Sequence, residues 1–316
     1  MRNLRVALAQ IAPRLGDLDA NLTLHLETAR RAREDGADVV VFPELSLTGY
    51  LLRDQTPDVA LRLHDAAPGG SSPIAALLEA SCEIDLVIGF VEESEGHRFH
   101  NACAYLSGGR VLHVQRKLYL TNYGMFEEAR DFAPGEQLRR FDCPHGAAGL
   151  LVCEDLWHQT CAWLLAQEGA DVLFGVSNGP SRGARPDRGV TSVAVWKNLV
   201  QITAQFLTTY IVFVNRVGGE DGLTFGGGSL VADPFGRVIA SLPPLDEAMT
   251  VVELRDEVLR RARTAYPLLR DENLELVHRE LGRIRRARYD LPDENEVESG
   301  DASSARTPPV RSVSRK

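Results

Sequence analysis

Three short apolar runs in this chain each end in a side chain able to do chemistry. Leu150 to Val152, in GLLVCEDLW, lead to Cys153. The run in ADVVVFPELSLTGY leads to Glu44, and the run in RVLHVQRKLYL leads to Lys117. Runs such as DVVVF read as strands buried on both faces. Strands of that kind, interleaved with helices and hairpins, predict a layered α/β fold.

The rest of the chain is consistent with that reading. LRVALAQIAP reads as a strand, and the stretch from Asp17 to Ala37 as a helix carrying Leu22, Leu24 and Leu26. A helix near Ala75 precedes the strand DLVIGF. NACAYLSGGRVLHVQRK reads as a hairpin turning at Ser107–Gly109. After Cys153 a helix is predicted over Trp157 to Gln167, then the strand ADVLFGVS, the long helix SVAVWKNLVQITAQFLT and the strand YIVFVNRVG. A second hairpin turns at Asp233–Gly236, and MTVVEL closes the set. The recurrence of strand, helix and strand suggests two sheets packed together. Residues 1–256 therefore read as one domain, and 257–288 as a charged helical extension at an oligomer interface. Residues 289–316 carry almost no large apolar side chains and read as a disordered tail.

Composition removes several classes. A net charge of −9 argues against a nucleic-acid partner. No apolar stretch reaches the length of a membrane span, and the N-terminus lacks the pattern of a signal peptide. Five cysteines (Cys82, Cys103, Cys143, Cys153 and Cys161) form no CxxC pair, so neither a disulfide framework nor a zinc ribbon is expected. A reducing cytoplasm is the expected location.

The chemistry centres on Cys153. A thiol with an ordinary pKa of about 8.5 is mostly protonated at neutral pH, so a nucleophile needs a base, a cation or both. Glu44 can accept the thiol proton. Lys117 can supply positive charge and stabilise an oxyanion, with the backbone N–H of Glu154 as a second donor. Each residue alone has a plainer explanation: a core cysteine, a solvated lysine, a loop carboxylate. His145 and His158 also permit a Cys–His pair on spacing.

The strings around these residues weigh against the plainer explanations. FPELSLTGY, RKLYLTNYGMFEEARDFAPG, VCEDLW and VNRVGGEDGLTFGGGSLVADPFGRV, in this order, resemble the nitrilase superfamily of carbon–nitrogen hydrolases. Within it they look like the glutamine-hydrolysing domain of glutamine-dependent NAD synthetase. The resemblance implies a four-layer α-β-β-α sandwich that assembles as a homodimer or larger homo-oligomer. It implies a Glu–Lys–Cys triad, here Glu44, Lys117 and Cys153, with neither metal nor cofactor. It also implies an auxiliary glutamate in the pattern Y-x-x-F-x-E-x-R, which falls on Tyr123, Phe126, Glu128 and Arg130, with Glu127 as the neighbouring alternative.

Substrate contacts are expected from Tyr123 and Phe126, and from Ser177, Asn178, Ser181 and Arg182 in the loop VSNGPSRGARPDRG. Arg185 and Arg188 in that loop are candidates for a carboxylate or plain solvated charges. No SGGxDS-type pyrophosphate loop occurs, so NAD synthesis by this chain alone is not expected. The loop after Ser177 also departs from the family pattern. The expected activity is cleavage of a small linear carboxamide with release of ammonia. Two alternatives stay open: a glutaminase subunit feeding a separate synthetase, and an inactive homologue that acts as a binding protein.

Overall fold

Alternation within the strands divides their side chains between two cores. In β1 (Leu4–Gln10), Val6 and Leu8 point one way and Ala7 and Ala9 the other, and all four are fully buried. A strand buried on both faces needs a layer on each side. The computed structural model describes residues 1–63, 70, 72–185 and 189–290. The loop at PGGSSP lies partly, Arg188 wholly, and the tail almost wholly outside those residues. The chain divides into two compact units, the first spanning Met1–Arg270 and the second beginning at Asp271.

In the first unit, α1 (Leu18–Glu34) follows β1 and leads to β2 (Val39–Val41). Then come the short α2 (Thr56–Val59), α3 (Pro73–Ala80), β3 (Asp85–Ser94), β4 (Arg98–Ser107) and β5 (Arg110–Arg116). The one-turn helix α4 (Glu128–Asp131) precedes β6 (Phe141–Cys143) and β7 (Gly146–Val152). Next are α5 (Gln159–Gln167), β8 (Val172–Ser177), the short β9 (Ala184–Arg185) and β10 (Gly189–Val190), and α6 (Thr191–Leu207). Strands β11 (Tyr210–Asn215), β12 (Val217–Glu220), β13 (Leu223–Gly226), β14 (Leu230–Ala232), β15 (Val238–Ser241) and β16 (Ala248–Leu254) follow, then α7 (Asp256–Ala265).

Two six-stranded sheets result, ordered β16-β1-β2-β3-β4-β5 and β15-β14-β11-β8-β7-β6. Their facing sides share one core, in which Val6, Leu8 and Val41 meet Leu150, Val152 and Val176. The outer face of the first sheet packs against α1 and α3 through residues such as Ala29, Ile74 and Leu77. The outer face of the second packs against α5 and α6 through Leu165, Trp196 and Val200. This is the predicted α-β-β-α sandwich.

The structure departs from the sequence reading in three places. The backbone after Cys153 first makes a short 3₁₀ turn, Cys153–Leu156, and the α-helix begins only at Gln159. The string VGGEDGLTFG forms the β12–β13 hairpin, whose glycines hid the strand pattern. The charged segment after Glu257 is not one helix. It breaks at Pro267, which lacks the N–H a helix interior needs, and resumes in the second unit as α8 (Leu274–Tyr289), capped by the Asn273 side chain. Among the described residues, no helix is long and apolar enough to cross a membrane.

Candidate active site

Both sheets deliver reactive side chains at the ends of strands. Glu44 lies in the loop after β2, which crosses β3 where Gly89 leaves room. A Cβ at Gly89 would lie 2.4 Å from the Leu45 nitrogen and the Pro43 oxygen. Glu44 is buried, and both its oxygens are occupied. Oε1 accepts from Lys117 Nζ at 2.9 Å and from Asn101 Nδ2 at 2.7 Å, and Oε2 accepts from the Asn178 N–H at 2.7 Å.

Lys117 follows β5 and is 1% exposed. Its backbone N–H donates to Asn101 O of the adjacent strand, at 2.8 Å. Its ammonium also donates to Glu128 Oε1, at 2.7 Å. Burial disfavours that charge, but the carboxylates of Glu44 and Glu128 outweigh burial and hold the pKa well above the usual lysine value.

Glu128 is the buried carboxylate of its pair, and Glu127 is exposed. Besides Lys117, Glu128 accepts from Tyr50 O–H at 2.6 Å and from the Thr121 N–H at 2.8 Å. Burial pushes its carboxyl up, Lys117 pulls it down, Glu44 adds to the rise, and the net shift is upward.

Cys153 follows β7 with φ of +48°, a left-handed conformation that costs a non-glycine residue about 1–3 kcal/mol. Such strain persists where surrounding contacts impose it. The Ser177 hydroxyl lies 3.4 Å from Sγ. Burial and the charge of Glu44 push the thiol well above its usual range, against Lys117 and Ser177. The resting thiol is therefore protonated at neutral pH.

Cys153 opens on a cavity of about 110 Å³. Tyr50, Phe126, Trp157 and Trp196 wall it, and Glu154, Asn178 and Arg182 are among its polar groups. The Arg182 guanidinium lies 5.2 Å from the Phe126 ring centre. Tyr123 is largely exposed at the mouth and donates its hydroxyl to the Glu154 carboxylate at 2.9 Å. Asn178 is 2% exposed, and both polar atoms of its side chain lack a partner among the described residues. A larger cavity of about 290 Å³ lies beside His100 and Arg116, but it excludes the thiol, and its Arg116 is already paired with Glu92.

The fold thus gathers Glu44, Lys117, Glu128, Cys153, Phe126, Asn178 and Arg182. Ser177 is fully buried against the sulfur rather than in the cavity wall. Ser181 also lies outside the lining, with a buried hydroxyl that has no partner among the described residues. The Arg185 side chain lies outside the described residues. The two histidines are engaged elsewhere: His145 lies 3.5 Å from Asp85, and His158 stacks on Tyr119 at 3.5 Å. Among the described residues, no group of three or more His, Cys, Asp or Glu could hold a metal ion.

Sequence reasoning missed Tyr50, Asn101, Asp155 and Trp196. Asp155 stands in the noticed string CEDLW, but nothing along the chain marks Asn101 or Trp196 as neighbours of the site.

The model of the carbon–nitrogen hydrolase family matches residues 5–264. The chain is a carbon–nitrogen hydrolase. It is 32% identical over 263 residues to a glutamine-dependent NAD(+) synthetase of Acinetobacter baylyi, covering 82% of this hydrolase and 46% of that protein. The hydrolase thus spans less than half the length of that relative. It is 34% identical over 276 residues to an (R)-stereoselective amidase of a Pseudomonas species, covering 86% of the hydrolase and 93% of the amidase. Among solved structures, it superposes with a TM-score of 0.71 and 26% identity on a mutant amidase of Nesterenkonia sp. AN1, over 88% of the hydrolase and 96% of that chain. That amidase carries the acetamide moiety of fluoroacetamide on its active-site cysteine. The hydrolase therefore belongs to the nitrilase superfamily in fold and sequence, as the motifs predicted.

Proposed function

We propose that this hydrolase cleaves a small linear carboxamide through a thioester on Cys153 and releases ammonia. One observation carries the reading. The Lys117 ammonium is held by Glu44 and Glu128 at the strand end, and its charge acts on the Cys153 thiol. Those two carboxylates take two of its three N–H donors, so the third is available to an oxyanion.

In this mechanism Glu44 accepts the Cys153 proton as the sulfur attacks the amide carbon. The C–S bond forms and the carbonyl electrons move to oxygen. Lys117 and the Glu154 N–H stabilise that oxyanion. As the C–N bond breaks, Glu44 returns the proton to the leaving nitrogen, which departs as ammonia. Water then attacks the thioester, giving its proton to Glu44, and the thiol is restored as the carboxylic acid leaves. Loss of one oxyanion donor costs about 10²–10³-fold in rate.

The cavity of about 110 Å³ favours a short acyl group. The chemistry needs a free thiol, which suits a reducing compartment such as the cytoplasm. Assembly into homo-oligomers belongs to the same proposal. The exposed Leu274, Leu281 and Ile284 of α8 support it, and light scattering tests it.

Ammonia release from acetamide, propionamide, butyramide, asparagine and glutamine tests the reaction. The short aliphatic amides are expected to give the highest kcat/KM, and Cys153→Ala to abolish turnover with the fold intact. Turnover retained in Cys153→Ala would end the thioester reading.

A second reading has its own support. Arg182 and Glu154 at the cavity supply both charges needed by the ends of an amino acid, and a relative is named as glutamine-dependent. In this version the hydrolase supplies ammonia to a separate synthetase. Glutamine turnover that appears only with a synthetase present favours it over the free-standing amidase. Arg182→Ala should then raise KM for glutamine and leave acetamide unchanged. The inactive-homologue alternative survives only if no amide is turned over.

A further inference from the structure

We infer that Asp155 is a positioning residue that fixes the Lys117 ammonium against the Cys153 sulfur across the two sheets. This rests on the thiol chemistry proposed above only for its kinetic test.

Lys117 and Cys153 belong to different sheets, and no strand pairing joins β5 to β7. The backbone of Lys117 is tied to its own sheet through Asn101 O. Side-chain packing alone would leave the separation of the two sheets at this edge free to vary by fractions of an ångström. Asp155 removes that freedom. Its side chain is fully buried. Oδ1 accepts the N–H groups of Leu118 at 3.0 Å and Tyr119 at 2.9 Å, the two residues after Lys117. Oδ2 accepts the N–H of Val152 at 3.2 Å, the residue before Cys153. One carboxylate thus clamps both backbones within two residues of the reacting groups.

The same contact helps impose the left-handed Cys153. A chain that returns from residue 155 to the N–H of residue 152 must turn sharply between them, and Cys153 is the residue that takes φ of +48°. The arrangement requires an acceptor-only group. Three N–H donors converge on two oxygens, and only an ionised carboxylate offers lone pairs on both without a proton of its own. Asparagine satisfies one side and turns an NH₂ group toward the N–H of the other.

Asp155→Asn is the direct test, assayed with a small amide. Competent thiols are counted by mass spectrometry of Cys153 labelled with chloroacetamide, and folding is followed by thermal unfolding. We expect kcat per competent thiol to fall about 100-fold with KM changed less than about threefold, the effect of misplacing reacting groups by about 1 Å. If kcat per competent thiol is unchanged and only the folded fraction falls, Asp155 is merely structural and the inference is wrong.

A second measurement uses the unaltered enzyme, in case the variant does not fold. Burial pushes the Asp155 carboxyl up to about 7, against its amide donors and Lys117, so the clamp closes as pH rises through that value. The other titratable groups coupled to it are the Lys117 ammonium, the Tyr119 phenol and the Cys161 thiol. The Lys117 and Tyr119 values are raised, and burial takes Cys161 up to about 12, so none changes charge near neutrality. The His158 ring stacks on Tyr119, so the test reads the other two donors: the amide proton signals of Val152 and Leu118 should titrate together with one midpoint. A Val152 signal that does not follow Leu118 overturns the clamp. Turnover retained in Cys153→Ala sinks the proposed reaction instead, and this titration then decides the clamp alone.

Discussion

Glu128 receives the Lys117 ammonium on Oε1 at 2.7 Å, and the Tyr50 hydroxyl binds the same oxygen at 2.6 Å. Glu128 therefore shares with Glu44 the task of keeping a fully buried lysine charged. Glu128→Gln keeps the shape and removes the charge. We expect kcat to fall about 10–1,000-fold with a small change in KM, read by ammonia release. Glu128→Ala leaves the buried cation one partner short and should cost about 3–5 kcal/mol in chemical denaturation. Wild-type turnover in Glu128→Gln would remove Glu128 from the reaction.

Gly89 should be intolerant of any side chain. An added Cβ meets backbone atoms of Pro43 and Leu45 at 2.4 Å, and backbone cannot rotate away as a flexible side chain can. Gly89→Ala must displace the Glu44 loop or the strand beneath it. Overpacking of this kind costs about 1–3 kcal/mol. Thermal unfolding should show that loss, with a larger proportional drop in kcat because Glu44 rides on the displaced loop. An alanine variant with unchanged unfolding and turnover contradicts the close approach.

His25 gives the fold an acid limit. It is buried, stacks on Phe42 and contacts Asn21 O and Ser46 Oγ at 2.7 and 2.9 Å, beneath the Glu44 loop. Burial lowers its pKa from 6.5 to about 4, against the Asn21 contact. The folded value lies below the unfolded one, so the folded state binds this proton less readily. Its contribution to stability is complete above pH 6.5 and is lost as pH falls from 6.5 toward 4. The loss amounts to about 3 kcal/mol. Denaturation midpoints across that range should decline in the wild type and decline less in His25→Leu. Equal declines in both would place the acid sensitivity elsewhere.

The cysteines should separate by reagent. Cys82 is exposed, whereas the Cys153 thiol is held protonated by burial and opens on the cavity walled by Trp157 and Trp196. Iodoacetate, a bulky anion, should modify Cys82 first. Chloroacetamide resembles a short carboxamide and should modify Cys153 saturably, with acetamide protecting it. Peptide mass mapping distinguishes the two. Chloroacetamide labelling of Cys153 that acetamide does not slow argues against amide binding at this cavity.

The sequence disclosed what depends on neighbours along the chain. Apolar runs ending at Glu44, Lys117 and Cys153 revealed buried strands and the side chains the fold gathers at their ends, and the Arg130 register pointed to Glu128, the buried one of the pair, over Glu127. What stayed hidden depends on contacts between distant segments. Asn101 sits in an ordinary strand, and only sheet pairing brings it to Glu44. Trp196 reads as one apolar residue of an amphipathic helix, yet it walls the cavity. The late start of α5 reflects Asp155, whose bond to Val152 holds the chain in a tight turn where the pattern alone favours a regular helix.

The two slabs of the sandwich carry different halves of the proposed chemistry: Glu44 and Lys117 ride on one, and the sulfur rides on the other. Stacked sheets stand about 10 Å apart, a distance set by the bulk of the side chains between them. Polar ties across that filling, from Asp155 to both backbones and from the Asn178 N–H to Glu44, hold the two halves in step. Exchanging a valine for an isoleucine deep between the slabs, at Val6 or Val212 for instance, would strain those ties without touching any of the gathered side chains. Selection for turnover in such an enzyme can act on residues that never meet a substrate.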